Sequence, residues 1–231
     1  MKDNPNLSAP PDATGALFFL PGQYLFKRIE NGRETVKALS SEQISRAFRE
    51  FQTDTGWIQR RILRYKEEPA GNYFFAFEPA RVRSIWIETK DGDVREISVP
   101  LPTLILLGKQ NEYFLWAAKT RKPTAKTKLC VAPLPNLGGE WQGKICFGSN
   151  EVPPAGASTM DAVWNLIFSA PFNNHNANNK CRSEAQDVRL MLFALAEKGV
   201  RTFPASELIE SATTVEDVWR QMIEGKRNRY F

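Results

Sequence analysis

Five short apolar or alternating runs crowd into one stretch of the chain, at residues 73–77, 83–89, 94–99, 103–107 and 112–117. Only turn signals separate them: Glu78-Pro79, Asp91-Gly92, Pro100 to Pro102, and Gly108 to Asn111. Parallel strands need crossovers of about a dozen residues or more, so this spacing commits the stretch to antiparallel pairing and reads as a β-meander. Helical stripes flank it. Ser40 and Gln43 have capping-box spacing ahead of Ile44, Ala47, Phe48 and Phe51, and that helix ends before Gly56. Downstream, Ser158 to Asp161 caps a helix presenting Met160, Val163, Trp164, Ile167 and Phe168. Val188, Met191, Leu192 and Leu195 form a second stripe closed by Gly199. Thr213 to Glu216 caps a last helix carrying Val215, Val218, Trp219, Met222 and Ile223. The order implies an α+β fold with helices packed on one side of the meander. Residues 1–14 read as a disordered leader, 15–39 as a β-hairpin extension turned by Pro21-Gly22, and 40–231 as the main domain.

Composition narrows the function classes. The chain has 231 residues, 42% of them hydrophobic and 25% charged, which suits one globular domain with an extension. Its longest unbroken apolar run, 190–196, is far short of the roughly 20 residues that span a bilayer, and no signal-peptide pattern is present. Three cysteines, an odd number, make no disulfide framework and fit a reducing cytoplasm. There is no CxxC and one histidine, so no metal site is expected. The phosphate-binding and nucleophile-elbow motifs are absent too, so neither a bound nucleotide cofactor nor serine hydrolysis is expected.

Residues 120–142 carry five prolines and glycines and no periodicity, and read as a long loop of the kind that usually serves function. Just beyond it, Gly143-Lys144-Ile145 delivers Cys146 at a turn. Asn136 precedes that cysteine between Pro135 and Gly138-Gly139, and His175 follows in a polar, Asn-rich loop. A thiolate is both nucleophile and leaving group, which suits an acyl carrier. An Asn amide can donate to the oxyanion formed when an amine attacks a thioester, and an imidazole can take the amine's proton. A lone Cys is more often a small buried hydrophobe, and that is the reading of Cys130 and Cys181.

The segment Pro135-Asn136-Leu137 to Gly143-Lys144-Ile145-Cys146-Phe147 resembles the stretch of ubiquitin-conjugating enzymes that runs from a His-Pro-Asn loop to the active cysteine. Lys122-Pro123-Thr124, Thr127-Lys128-Leu129, Ala132-Pro133, and residues 164–172 leading into His175 are similar to prokaryotic family D of that superfamily, the family of PRTRC cassettes. The likeness spans about residues 16–179. It implies a ubiquitin-conjugating-like fold of helix, meander, active-site loop and C-terminal helices. By the same resemblance Cys146 holds the thioester, Asn136 donates to the oxyanion, and His175 occupies the gate position at the incoming lysine. Leu134 stands where that family has its loop histidine, and the spacing from Asn136 to Cys146 is slightly longer. The implied partners are a ThiF-like activating enzyme, a ubiquitin-like protein and a JAB-type deconjugating peptidase, in a bacterial cytoplasm and in antiphage defence. ATP and Mg²⁺ belong to the activating enzyme, leaving this chain without a cofactor.

Three alternatives stay open on the residues alone. They are a non-catalytic adaptor of the same fold, a Cys–His thiol hydrolase, and a nucleic-acid module. Lys119, Arg121, Lys122, Lys126 and Lys128 form a basic run without acids. Arg60, Arg61, Arg64 and Lys66 form a second, and Lys226, Arg227 and Arg229 a third. No aromatics interleave the run at 119–128, so it reads as a solvated face or a contact for an acidic protein more readily than as a nucleic-acid surface. A net charge of +5 spread this way supports either.

Overall fold

The computed structural model describes residues 13–30, 32–49, 61–68, 71–139 and 143–225. The chain divides after Trp57 into two compact units. Residues 1–12 of the expected leader, Phe51 of the first helical stripe, Arg60, and the basic stretch at 226–229 lie outside the described residues.

The first unit is an antiparallel sheet in the order β1 (Gly15–Leu20), β2 (Gln23–Glu30), β3 (Arg33–Leu39), followed by α1 (Ser41–Arg49). The expected hairpin is present, with Gly22 at φ +79° in its turn. It carries a third strand that was not expected. β3 mixes charged, polar and apolar residues with no consistent apolar face, so only the Asn31-Gly32 turn signal announces it. The α1 cap is reciprocal: Gln43 N–H donates to Ser40 Oγ at 3.2 Å, and Ser40 N–H donates to Gln43 Oε1 at 2.9 Å.

The second unit is built on β4 (Ile62–Glu68), β5 (Gly71–Glu78), β8 (Thr103–Lys109) and β9 (Glu112–Ala118), in the spatial order β9-β8-β5-β4. Between β5 and β8 in sequence come β6 (Arg81–Glu88) and β7 (Val94–Leu101), which pair only with each other. The meander expectation is therefore corrected: β5 lies directly beside β8, and the β6–β7 hairpin folds off as a separate layer. Burial explains the rearrangement. β5, β8 and β9 are apolar on both faces and need cover on both, whereas β6 buries Ile85 and Ile87 but leaves Val82 and Trp86 exposed.

Phe74, Leu104, Leu106 and Leu115 of one sheet face pack with β6, α2 (Met160–Ser169) and α3 (Val188–Glu197). The opposite face, with Phe75, Ile105, Leu107 and Trp116, packs against Val218 and Trp219 of α4 (Val215–Met222). The helices thus cover both faces, not one as expected. Trp219 is 1% exposed, a burial worth up to about 3 kcal/mol.

Residues 120–142 are not a structureless loop. They contain β10 (Lys128–Val131), which joins β9 on one side and β13 (Glu210–Thr214) on the other, and β11 (Leu137–Gly138), which pairs with β12 (Lys144–Ile145). β10 is too short for periodicity to reveal, and its partner β13 lies some eighty residues away in sequence. β13 also corrects the last cap. Pairing holds the chain in strand as far as Thr214, so the capping box is Thr214 with Asp217, one residue later than expected. Similarly, α2 starts after Thr159, whose hydroxyl donates to Pro154 O and makes no cap bond. Among the described residues no helix is long and apolar enough to cross a membrane.

Candidate active site

β12 reaches the sheet edge through Lys144 opposite Phe114, and Leu115 N–H donates to Gly143 O at 2.7 Å. Only glycine permits that approach, because a Cβ at Gly143 would stand 2.8 Å from the Trp116 ring. Leu137 pairs with Ile145 and Gly138 with Lys144. One step on, Cys146 N–H donates to Asn136 O at 2.8 Å. The β11–β12 hairpin thus absorbs the longer spacing between Asn136 and Cys146 and brings the two backbones together. Phe147 sets its ring edge-on to Tyr113, with centroids 6.1 Å apart, and Asn150 closes the following turn with N–H and Nδ2 bonds to Phe147 O.

Asn136 is the node of the site. Leu134 and Pro135 before it are buried, and Leu134 N–H donates to Ala132 O at 2.8 Å in a tight turn. Asn136 itself takes φ +60°, a left-handed conformation that asparagine tolerates better than most side chains. Its N–H donates to His175 O at 2.7 Å, and its Oδ1 accepts Asn173 N–H at 3.4 Å. With Oδ1 held by that backbone, the amide's Nδ2 is left as a donor without a partner among the described residues.

The segment bearing His175 is pinned before and after. Phe172 exchanges backbone bonds with β6, donating to Trp86 O and accepting from Glu88 N–H, and Val188 at the start of α3 donates to Ala177 O. Between them Asn173 Oδ1 accepts His175 N–H at 2.9 Å, and Asn176 takes φ +53°. The Asn176 amide lies 3.0 Å from His175 Nε2 and packs on Gly138, where a Cβ would come within 2.4 Å of Asn176 Nδ2. The sequence gives no site role to Asn173, Asn176 or Gly138. Their signal is the density of asparagine at 173–179, a residue that both makes Asx turns and adopts positive φ.

Cys146, Asn136 and His175 all line one open cavity of about 310 Å³, whose walls include Ile145, Leu166 and Phe172. Cys146 is exposed, whereas Cys130 and Cys181 are buried. Burial pushes both buried thiols above their ordinary range, which disfavours the thiolate. Cys181 also spends its S–H on Glu184 O at 3.4 Å.

The basic stretches are partly structural. Arg64 stacks over Trp219 at 4.3 Å and pairs with Glu216 and Glu224. Arg61, Arg81 and Arg83 converge on Glu78, which is 3% exposed. Lys119 and Lys128 share Glu210.

A family model described as prokaryotic E2 family D matches residues 35–211. The chain belongs to that family. No curated protein and no solved structure matches it. Membership ties this E2-like chain to ubiquitin-like conjugation, with ubiquitin-like proteins and activating enzymes as the general class of partner. Its mixed architecture of antiparallel sheets and few helices is compatible with an E2-like fold, and Asn136, Cys146 and His175 all fall within the matched residues.

Proposed function

We propose that this chain is a bacterial ubiquitin-conjugating-type carrier with a catalytic cysteine, and that residues 40–231 form its ubiquitin-conjugating-like domain. The Cys146 thiolate attacks the carbonyl carbon of a thioester held by a ThiF-like activating enzyme. The C–S bond to Cys146 forms, and the activating enzyme's thiolate leaves. A target lysine amine then attacks the same carbon, Cys146 leaves as thiolate, and an isopeptide bond remains. Asn136 Nδ2 donates to the oxyanion between these states, and His175 takes the proton that the new ammonium releases. ATP and Mg²⁺ act on the activating enzyme. A JAB-type peptidase would reverse the product, in a bacterial cytoplasm and, following the PRTRC family context, in antiphage defence.

The observation that carries this reading is the pair of backbone bonds through Asn136, one to Cys146 and one to His175, on a cavity whose thiol is exposed. Leu134 bears on the adaptor alternative. Loss of the family's loop histidine would favour a non-catalytic adaptor, but Leu134 is 0% exposed and braces the turn by packing instead.

The test mixes the chain with its activating enzyme, modifier and ATP-Mg²⁺ and compares gels with and without reductant. A reductant-sensitive adduct that Cys146→Ala abolishes supports the carrier. A charged activating enzyme that yields no adduct sinks it, and product released to water without lysine adducts would favour the hydrolase.

A further inference from the structure

A second cavity, of about 330 Å³, opens where the start of β6, the end of β9 and the segment before the short 3-10 turn at Ala205–Glu207 meet. Its floor is apolar, with Leu101, Ala118, Phe203 and Leu208. Its rim carries Arg81, Lys119, Arg121 and Arg201, and among the described residues no carboxylate lines it. These cations come from three separated parts of the sequence, so their convergence is a product of the fold and not of one charge run. Arg81 shares a single carboxylate with two other arginines, and Lys119 shares one with Lys128. Arg121 and Arg201 are exposed and make no ion pair among the described residues. A cleft lined by one sign of charge over a low-dielectric floor focuses its field and attracts the opposite sign.

We infer that this cavity docks an acidic segment of a protein partner, one apolar side chain entering the floor and flanking carboxylates meeting Arg121 and Arg201. Two features select a peptide over a small anion. The rim cations Arg81, Lys119, Arg121 and Arg201 are spread over three parts of the fold, more positive charge than one small anion needs, and the floor offers an apolar anchor site. Nucleic acid is disfavoured because, among the described residues, no exposed aromatic lines the cavity for base stacking. This docking does not depend on thioester chemistry.

Fluorescence anisotropy tests it, using a fluorescein-labelled peptide of glutamates around one central leucine. The full chain binds this probe, and added salt weakens binding. The double variant Arg121→Glu/Arg201→Glu loses about tenfold or more, as reversing two rim charges requires. The charge-matched control Lys90→Glu/Arg95→Glu on the β6–β7 hairpin keeps its affinity, and Cys146→Ala binds like wild type. Replacing the probe's leucine by glycine weakens binding several-fold. Circular dichroism confirms folding, and Arg121→Gln and Arg201→Gln singly repeat the test with gentler changes. Absent binding, equal binding by the double variant, or tighter binding of an oligonucleotide of equal charge that displaces the peptide would overturn the inference.

Discussion

Cys146 donates its backbone N–H to the carbonyl of Asn136 at 2.8 Å, while Asn136 donates its own N–H to the carbonyl of His175 at 2.7 Å. These backbone bonds hold the three loops in register, and Asn136 Oδ1 adds an acceptor for Asn173 N–H. Substituting the Cys146 side chain should therefore leave the others in place, whereas the Asn136 side chain also holds the segment bearing His175 through Asn173 N–H.

Asn136→Gly is the sharpest single-residue test. Glycine accepts φ +60° without strain, so the variant removes the amide, both Nδ2 and the Oδ1 that accepts Asn173 N–H at 3.4 Å, and leaves the backbone as it was. Charging of Cys146 should persist, while discharge to free lysine falls by about 10²–10³, the usual loss of one oxyanion donor. Single-turnover discharge measures it, and an unchanged rate would remove Asn136 from the chemistry.

The cysteines should separate by burial. Cys146→Ala should abolish the reductant-sensitive adduct and leave the melting temperature alone, because the side chain is exposed. Cys130→Ala and Cys181→Ala should keep the adduct yet each cost about 1 kcal/mol in denaturant unfolding. Loss of adduct in either buried variant, with folding intact, would contradict the assignment.

Strands with dense local signals, β5 through β9, were legible because their apolar runs and turns carry the information within a few residues. Their arrangement was not. The continuous apolar runs at 104–107 and 113–118 mark strands buried on both faces, and reading them as one-sided concealed the cover that α4 provides. β10 and β13 each depend on a partner distant in sequence, which no local pattern encodes. At the candidate site, cysteine, asparagine and histidine stood out by chemical type. Gly138 and Asn176 did not, because their contribution is a close approach visible only in three dimensions.

That approach yields a paired prediction. Gly138→Ala places a methyl 2.4 Å from the end of the Asn176 side chain, which can swing away. Stability should hardly change, but Asn176 leaves the His175 ring, so lysine discharge should change in wild type and not in a His175→Ala background. Gly143→Ala instead meets the Trp116 ring at 2.8 Å and Leu115 O at 3.0 Å, neither free to move. It should cost about 1–3 kcal/mol and loosen β12 from the sheet. Urea unfolding and discharge kinetics on both variants decide it, and equal destabilisation would refute the distinction.

Tyr113 gives the chain a measurable alkaline signature. It is 1% exposed and donates to Pro153 O at 2.9 Å, and burial pushes its hydroxyl up to about 12 from the ordinary 10.0, against a smaller lowering by a hydrogen bond with Thr159. Between those pH values the unfolded chain has released a proton that the folded chain keeps. The contribution is therefore intact below pH 10 and lost as pH rises toward 12, up to about 3 kcal/mol. Tyr113→Phe should be less stable than wild type by about 1 kcal/mol at neutral pH, for the lost hydrogen bond. The buried thiols of Cys130 and Cys181 add a fall of the same sign, and Lys180, lowered to about 8 by burial, adds an opposing rise, but both are common to the two proteins. The difference between the urea midpoints isolates Tyr113. It should shrink above pH 10 and reverse at higher pH, whereas parallel curves would mean that the hydroxyl titrates normally in the folded chain.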